Sequence, residues 1–493
     1  MSEFGLAEAA VGSVVAPAGC GKTAAIVDLV RENTGKPPLV LTHTNAGVAA
    51  LHARLKRWGA HRFCRLSTLD AWSLRVVGAF AVRAGYRIDP LDPDYAETRS
   101  AALRVLRSGA IDRSLIATYS SVLIDEYQDC CPLQHQLALE LADRLPVRVY
   151  GDPMQAIFDF DGPVVDWTAV EAAFRPLPPL LTPWRWDNAR CGRLGAWLLE
   201  ARGALERGEA LDLGTAPAEY VRFVPKDGAQ RVGEGTGRKA GTVAEGVEAV
   251  RGVKMRSGER LLIIGHTSSD ASRHELARRA AGISIVERAD LPGLVEFGRR
   301  LSTATDRDRL DFALALAAEV MTDTNTPQLK RRIDTLLAGR ARTSATTCEQ
   351  AALGFLASPT PRSLASVLTA LKDQAGCRVF RRELLGAAVE ALSAARNFED
   401  VQSRSVAVRD CRRFGSQHLP PRALGTTLLL KGLEADHVVV LDADRLSARH
   451  LYVAITRGAQ SLTVQAPDKV IRPTVLPRHD GSGRTPRQRA SAT

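Results

Sequence analysis

The amino-acid sequence predicts an α/β fold: two blocks of parallel sheet, with a helical insertion in the second. Three observations carry this. Short aliphatic and β-branched runs alternate with helix-length segments through the first half. One of those runs leads into a glycine-bearing loop that opens a helix. A strand-poor stretch striped with leucine and alanine separates two later strand groups. Alternating strands and helices bury a parallel sheet under helices on both faces, and ligands then bind beyond the carboxyl ends of the strands.

Taken in order, residues 11–15, 39–42, 122–124 and 147–150 each read as a buried strand bounded by turn or cap residues. With their helices they make a first block over 1–175, in which the segment at about 77–120 leaves room for only a small insertion. A second block runs over 176–295 with a strand at 261–265, and returns over 420–470 with strands at 438–441 and 462–464. Between its parts, over 296–419, Leu310, Ala313, Leu314 and Ala317 recur at helical spacing. So do Leu364, Val367, Leu368 and Leu371, and then Leu385, Ala388, Val389 and Leu392. These stripes are expected to be core faces of the helical insertion. Residues 226–241, rich in glycine and charge, read as a loop, and 471–493, with five arginines against one acid, as a disordered basic tail.

With 45% hydrophobic and 25% charged residues, the chain can bury real cores. Its net charge of +11 favours polyanionic partners, since lysine and arginine displace condensed counterions from phosphates. Arginine spread evenly over a solvated surface is the bland alternative. No run is long enough to span a bilayer. The eight cysteines include no CxxC pair and suit neither a zinc site nor a disulfide framework, which points to free thiols in a cytoplasmic protein.

The chemistry is concentrated in two segments. After the first strand comes Ala16-Pro17-Ala18-Gly19-Cys20-Gly21-Lys22-Thr23, followed by an apolar helix. Glycines let backbone N–H groups wrap phosphate oxygens, the helix N-terminus adds positive potential, Lys22 reaches the β- and γ-phosphates, and Thr23 ligates Mg²⁺. The second segment is the strand 122–124 and the Asp125-Glu126-Tyr127-Gln128-Asp129 that ends it. There Asp125 suits a water-mediated Mg²⁺ contact, and Glu126 is the candidate base for the attacking water. An acidic helix cap explains one carboxylate at that place, but not two delivered by a strand downstream of a phosphate loop. ATP and Mg²⁺ are therefore the expected cofactors.

An ordered series of motifs then resembles the superfamily 1A DNA helicases of the UvrD/Rep/PcrA type. After the phosphate loop come Thr42-His43-Thr44-Asn45, Ser67-Thr68-Leu69-Asp70-Ala71-Trp72, the 125–129 segment, Gly151-Asp152-Pro153-Met154-Gln155-Ala156-Ile157-Phe158, Trp184-Arg185, Lys431-Gly432-Leu433-Glu434 and Leu451-Tyr452-Val453-Ala454-Ile455-Thr456-Arg457. The resemblance implies two RecA-like P-loop NTPase domains with ATP hydrolysed between them. It implies that Gln155 senses the γ-phosphate and that Arg185 and Arg457 are arginine fingers from the second domain. It places Trp184 against adenine and Gly432 and Glu434 at the nucleotide. It also implies a single-strand track with Phe158 and Phe160 under the bases, His43 at a further stacking position, and Thr44, Asn45 and Thr68 along the backbone; core packing is the alternative for the two phenylalanines.

The sequence departs from that pattern in places. No glutamine stands before Ala16 to read adenine, His43 replaces a usual phenylalanine, Asp161 a usually basic residue, and Leu428 a histidine. The expected function is a 3′-to-5′ translocase or helicase acting on single-stranded or tailed DNA, with the polarity taken from the resemblance. The alternative is an ATP-gated, DNA-sensing subunit with a partner nuclease, since compact helicases of this size resemble those of bacterial antiphage systems such as Gabija. An RNA-directed motor is a third reading, because the motifs do not read the 2′-hydroxyl.

Overall fold

The computed structural model describes residues 11–89, 93–158, 162–226, 239–265, 270–288, 290–414 and 419–474. Five short strands, β1 (Gly12–Val15), β2 (Leu39–Thr42), β3 (Arg65–Thr68), β4 (Val122–Ile124) and β5 (Val147–Gly151), form one parallel sheet in the order β1-β5-β4-β2-β3. The inner strands are buried along their whole length, which is why they read as unbroken aliphatic runs. Because all five run the same way, the loops after Val15, Thr42, Thr68, Ile124 and Gly151 gather at one edge, where ligands of such sheets bind. The sequence does not mark β3 as a strand: it is an edge strand with one aliphatic residue in four.

Helices α1 (Lys22–Glu32), α2 (Asn45–Arg57) and α3 (Leu69–Ala79) follow β1, β2 and β3. Thr44 and Thr68 cap the latter two, each hydroxyl accepting from a backbone N–H three residues on, Gly47 and Ala71, at 3.0 Å. The stretch expected as a small insertion packs as a helical layer on this sheet. Its helices Tyr95–Arg107 and Asp112–Thr118 set Ala102, Leu103, Leu106 and Leu115 into the same core as Trp72 and Leu137. Residues 175–180 continue along the free edge of β1, with Leu177 N donating to Ser13 O at 2.8 Å and Leu180 N to Val15 O at 3.0 Å. The crossing to the second sheet therefore comes after Leu180.

The second sheet holds β6 (Val221–Pro225), β7 (Leu261–Ile264), β8 (Ser284–Ile285), β9 (Arg422–Gly425), β10 (Ala435–Val440) and β11 (Gly458–Ala466), parallel throughout, in the order β6-β11-β10-β7-β9-β8. Between β8 and β9 lie seven helices from Pro292 to Phe414, built around a core of their own that contains Leu310, Leu314, Leu364, Leu368, Leu385 and Leu392. This helical body is tied back to the sheet. Phe380 is buried in the sheet's core, its carbonyl accepts from Ile285 N at 2.8 Å, and Arg381 forks onto Glu287 at 2.6 and 2.8 Å. Among the described residues, no helix is long and apolar enough to cross a membrane. Phe160, most of the expected loop at 226–241 and most of the basic tail, 475–493, lie outside the described residues.

Candidate nucleotide and nucleic-acid site

The loop after β1 is shaped by two glycines with left-handed backbone, Gly19 at φ 74° and Gly21 at φ 87°. A side chain at either place meets a second obstacle. A Cβ on Gly19 would lie 2.7 Å from the Trp186 ring, and one on Gly21 3.0 Å from the Trp184 ring. The loop is thus backed by two indoles of the short helix Trp184–Asn188. Trp186 is fully buried and donates from Nε1 to Gly458 O at 2.9 Å, whereas Trp184 stays 40% exposed beside Gly21. Cys20 within the loop is buried, and that burial pushes its thiol up to about 12, so it is inert.

Lys22 opens α1 and meets both carboxylates at the end of β4. Its Nζ lies 2.8 Å from Glu126 Oε1 and 3.5 Å from Asp125 Oδ1. Burial disfavours the charge on Lys22, but Glu126 and Asp125 outweigh it and hold the ammonium protonated. The carboxylates separate in the same field. Burial pushes Asp125 upward against the pull of Lys22, while Lys22, Lys431 and hydrogen bonds overcome the burial of Glu126 and keep it low. Glu126 is therefore ionised at neutral pH, as a base for water must be. Its backbone is left-handed at φ 55°, a conformation that costs a non-glycine residue about 1–3 kcal/mol and recurs where a side chain must be aimed. Gln128 holds that aim, donating to Glu126 Oε2 at 2.6 Å while its Oε1 accepts from Asp152 N at 3.0 Å.

Thr23, half-buried one residue into α1, and Asp125 fit a magnesium ion that keeps waters and phosphate oxygens for its other ligands. Among the described residues, no group of three or more His, Cys, Asp or Glu could hold a metal alone. A phosphate-dependent Mg²⁺ site needs no such group.

The second sheet reaches into this loop at several points, and Asp152 is where they meet. It is fully buried and accepts from Tyr452 Oη at 2.9 Å, Gln155 Nε2 at 3.0 Å and Arg202 Nη2 at 3.0 Å. Tyr452 Oη also accepts from Ala18 N, within the phosphate loop, at 2.9 Å. Arg457, on the turn after the helix Ala448–Ile455, is buried and donates from Nη2 to Gln155 Oε1 at 3.1 Å. Burial and the neighbouring Arg185 push its value down to about 10, which leaves it charged at neutral pH. Arg185 donates from its backbone N to Gly19 O at 3.1 Å, and its side chain binds Glu434 and Thr456 O. Lys431 pairs with Asp129 at 2.6 Å. The structure thus brings together Lys22, Asp125, Glu126, Gln155, Arg185, Glu434 and Arg457. Gly432, at φ 79°, shapes the loop between Lys431 and Glu434.

Residues 92–168, the span that carries Asp125, Glu126, Asp152 and Gln155, match the family model for the UvrD/REP helicase N-terminal domain. That span, 77 of the 493 residues, is similar to the N-terminal domain of the UvrD/REP helicases. No curated protein matches it. Two solved structures of the arterivirus helicase nonstructural protein 10, one of them with DNA, align over 93% of this chain at 11% and 12% identity, with a TM-score of 0.34. The chain spans 61% and 60% of theirs, and the family likeness is confined to residues 92–168.

The described residues expected to line a nucleic-acid track lie at the carboxyl edge of the first sheet. The His43 ring lies 5.7 Å from that of Phe158, tilted by 50°, and Lys431 Nζ sits 4.6 Å from the centre of the Phe158 ring. Burial lowers the value of His43, which favours the neutral ring. Thr42 Oγ1 and His43 Nδ1 are buried without a partner among the described residues, next to exposed Asn45. Sequence reasoning assigned no role to Asp152, Tyr452, Gln128, Lys431 or Arg202. Four of these lie inside the quoted motifs, so position in the series was the available signal. Arg202, on the helix Gly192–Glu206, had none.

Proposed function

We propose that the chain is an ATP-driven motor that translocates along single-stranded DNA, hydrolysing ATP in the cleft between its two sheets. The observation that supports this most is that side chains following the second sheet's strands reach the phosphate loop and the Gln155 segment beside it. Arg457 is bonded to Gln155, and Tyr452 to Ala18. In this reading Lys22 and the loop N–H groups hold the phosphates, Thr23 and Asp125 hold Mg²⁺, and Glu126, aimed by Gln128, takes the proton from the attacking water. Bound Mg²⁺ would neutralise charge on the β- and γ-phosphates. Gln155 faces the γ-phosphate, and Arg185 and Arg457 stabilise the charge that develops there, a term worth several kcal/mol in related chemistry. Trp184 stacks on the base, and Glu434 exchanges Arg185 for the ribose.

Strand movement follows from the cleft having two walls. Since the cations and the base belong to different sheets, hydrolysis and release change how the sheets are held, and Phe158 with Lys431 lies where that change meets the track. Phe160 and the polarity, 3′-to-5′, belong to the same proposal through the motif series alone. A DNA-sensing subunit that gates a partner nuclease is the second reading. It is favoured by the helices Tyr95–Arg107 and Asp112–Thr118 lying against the first sheet as a layer. Hydrolysis measured with matched DNA and RNA oligomers tests the proposal. Strong stimulation by single-stranded DNA is expected, and a rate indifferent to every nucleic acid rules it out. Tailed-duplex unwinding then divides motor from sensor.

A further inference from the structure

Between Glu32 and Asp70 the chain has no acidic residue and six basic ones, Lys36, Arg54, Lys56, Arg57, Arg62 and Arg65. Lys36 is engaged elsewhere, donating to Ile116 O at 2.7 Å. Arg54, earlier on α2, is within electrostatic reach of Glu434 in the cleft, and the other four gather where α2 ends and the chain turns into β3. Leu51, Leu55, Ala60 and Cys64 are buried in the first block's core and pin this turn from within. Pinned so, the turn must face its remaining side chains outward. Trp58 and Phe63 are each 58% exposed. Lys56, Arg57, Arg62 and Arg65 are exposed in the same turn, with no ion-pair partner among the described residues. Arg31 of α1 stacks on Trp58 at 5.1 Å from the ring centre, which steadies the indole.

This patch is apart from the cleft. β3 is the outer strand of its sheet, and Arg65 stands at its amino end, level with Leu39. Thr42 and Thr68, at the opposite end of the same pair, are about 10 Å away along the strand. Large apolar rings left in water lose the stabilisation of burial, and here they are ringed by unopposed cations. Rings that accept any base face, set among charges that accept any phosphate, are the chemistry of single-strand binding.

We propose that the α2–β3 turn is a second contact for single-stranded nucleic acid outside the cleft, with bases on Trp58 and Phe63 and phosphates on Arg57, Arg62 and Arg65. It rests on the motor reading, and its test separates the two. ATP hydrolysis and fluorescence anisotropy of the full chain are measured with two deoxythymidylate strands, one of about 8 nucleotides, enough for a single site, and one of about 30. For the double variant Trp58→Ala, Phe63→Ala, the half-stimulating concentration of the long strand rises about tenfold, while the short strand and the maximal rate stay as in the native chain. The pair Arg57→Ser, Arg62→Ser reduces the salt slope of long-strand binding by about 1–2, since each lost phosphate contact takes ~0.7. Native response to both strands in both variants overturns the second contact and leaves the motor reading standing; a patch that docks an acidic protein gives that result. Equal loss for short and long strands also overturns it. If the native chain responds to neither strand, the motor reading falls first.

Discussion

Tyr452→Phe removes one oxygen and should loosen the join between the two sheets. The hydroxyl is buried and makes two bonds at 2.9 Å, donating to Asp152 Oδ2 and accepting from Ala18 N in the phosphate loop. Phenylalanine keeps the ring's packing, so no cavity opens. What changes is polar: a bond to a carboxylate contributes about 1.5–3 kcal/mol, and an orphaned buried N–H costs about 1–3 kcal/mol. Asp152 keeps Arg202 and Gln155, so the expected loss is about 3 kcal/mol, at the low end of that sum. Urea denaturation of the native chain and variant measures it, with ATP hydrolysis read alongside. Tyr452→Phe should lower the denaturation midpoint and raise the KM for ATP, because Ala18 lies in the loop proposed to hold phosphate. Asp152→Asn should be coupled to it by about 1 kcal/mol or more in a double-variant cycle. A variant as stable as the native chain to within about 0.5 kcal/mol, with native KM, would refute the role of this hub.

Glu126→Gln should bind ATP with near-native affinity and hydrolyse it at least a hundredfold more slowly, on the order of what a positioned general base contributes; equilibrium nucleotide binding and phosphate release check this together. Arg381→Ala strands the buried carboxylate of Glu287 and should cost about 3 kcal/mol, seen as earlier unfolding of the helical body by hydrogen exchange. Burial pushes Asp129 up to about 6 against the pull of Lys431. An acid whose value is raised by folding disfavours the folded state above that value. Its contribution therefore turns more favourable as pH falls through 6 toward the ordinary carboxylate range, and is flat above it. Asp129→Asn should remove that part of the pH dependence of stability, and a stability profile identical to the native one between pH 4 and about 7 would contradict it.

Much of the fold was legible because parallel strands are buried on both faces. Residues 39–42 and 122–124 announce themselves by four or three aliphatic or β-branched side chains in a row, and the helical body by stripes such as Leu364, Val367, Leu368 and Leu371. β3 and β8 were hidden for the opposite reason: an edge strand such as Arg65–Thr68 and a two-residue strand such as Ser284–Ile285 carry too few core positions to form a pattern. The site divides in the same way. Lys22, Asp125 and Glu126 could be placed from local chemistry, a loop opening a helix and a strand ending in acids. Arg202 could not, since nothing local distinguishes an arginine on Gly192–Glu206 that reaches Asp152 from one that faces water. Exposed Trp58 and Phe63 were equally silent, because exposure is decided by which neighbours pin the turn.

Arg457→Ala tests most directly whether the second sheet completes the nucleotide site. The guanidinium is buried, bonded to Gln155, and supplied from across the cleft. With ATP and single-stranded DNA saturating, hydrolysis by Arg457→Ala should fall by about a thousandfold, as for an arginine finger, while nucleotide binding changes far less. Native hydrolysis in a correctly folded Arg457→Ala chain would contradict it.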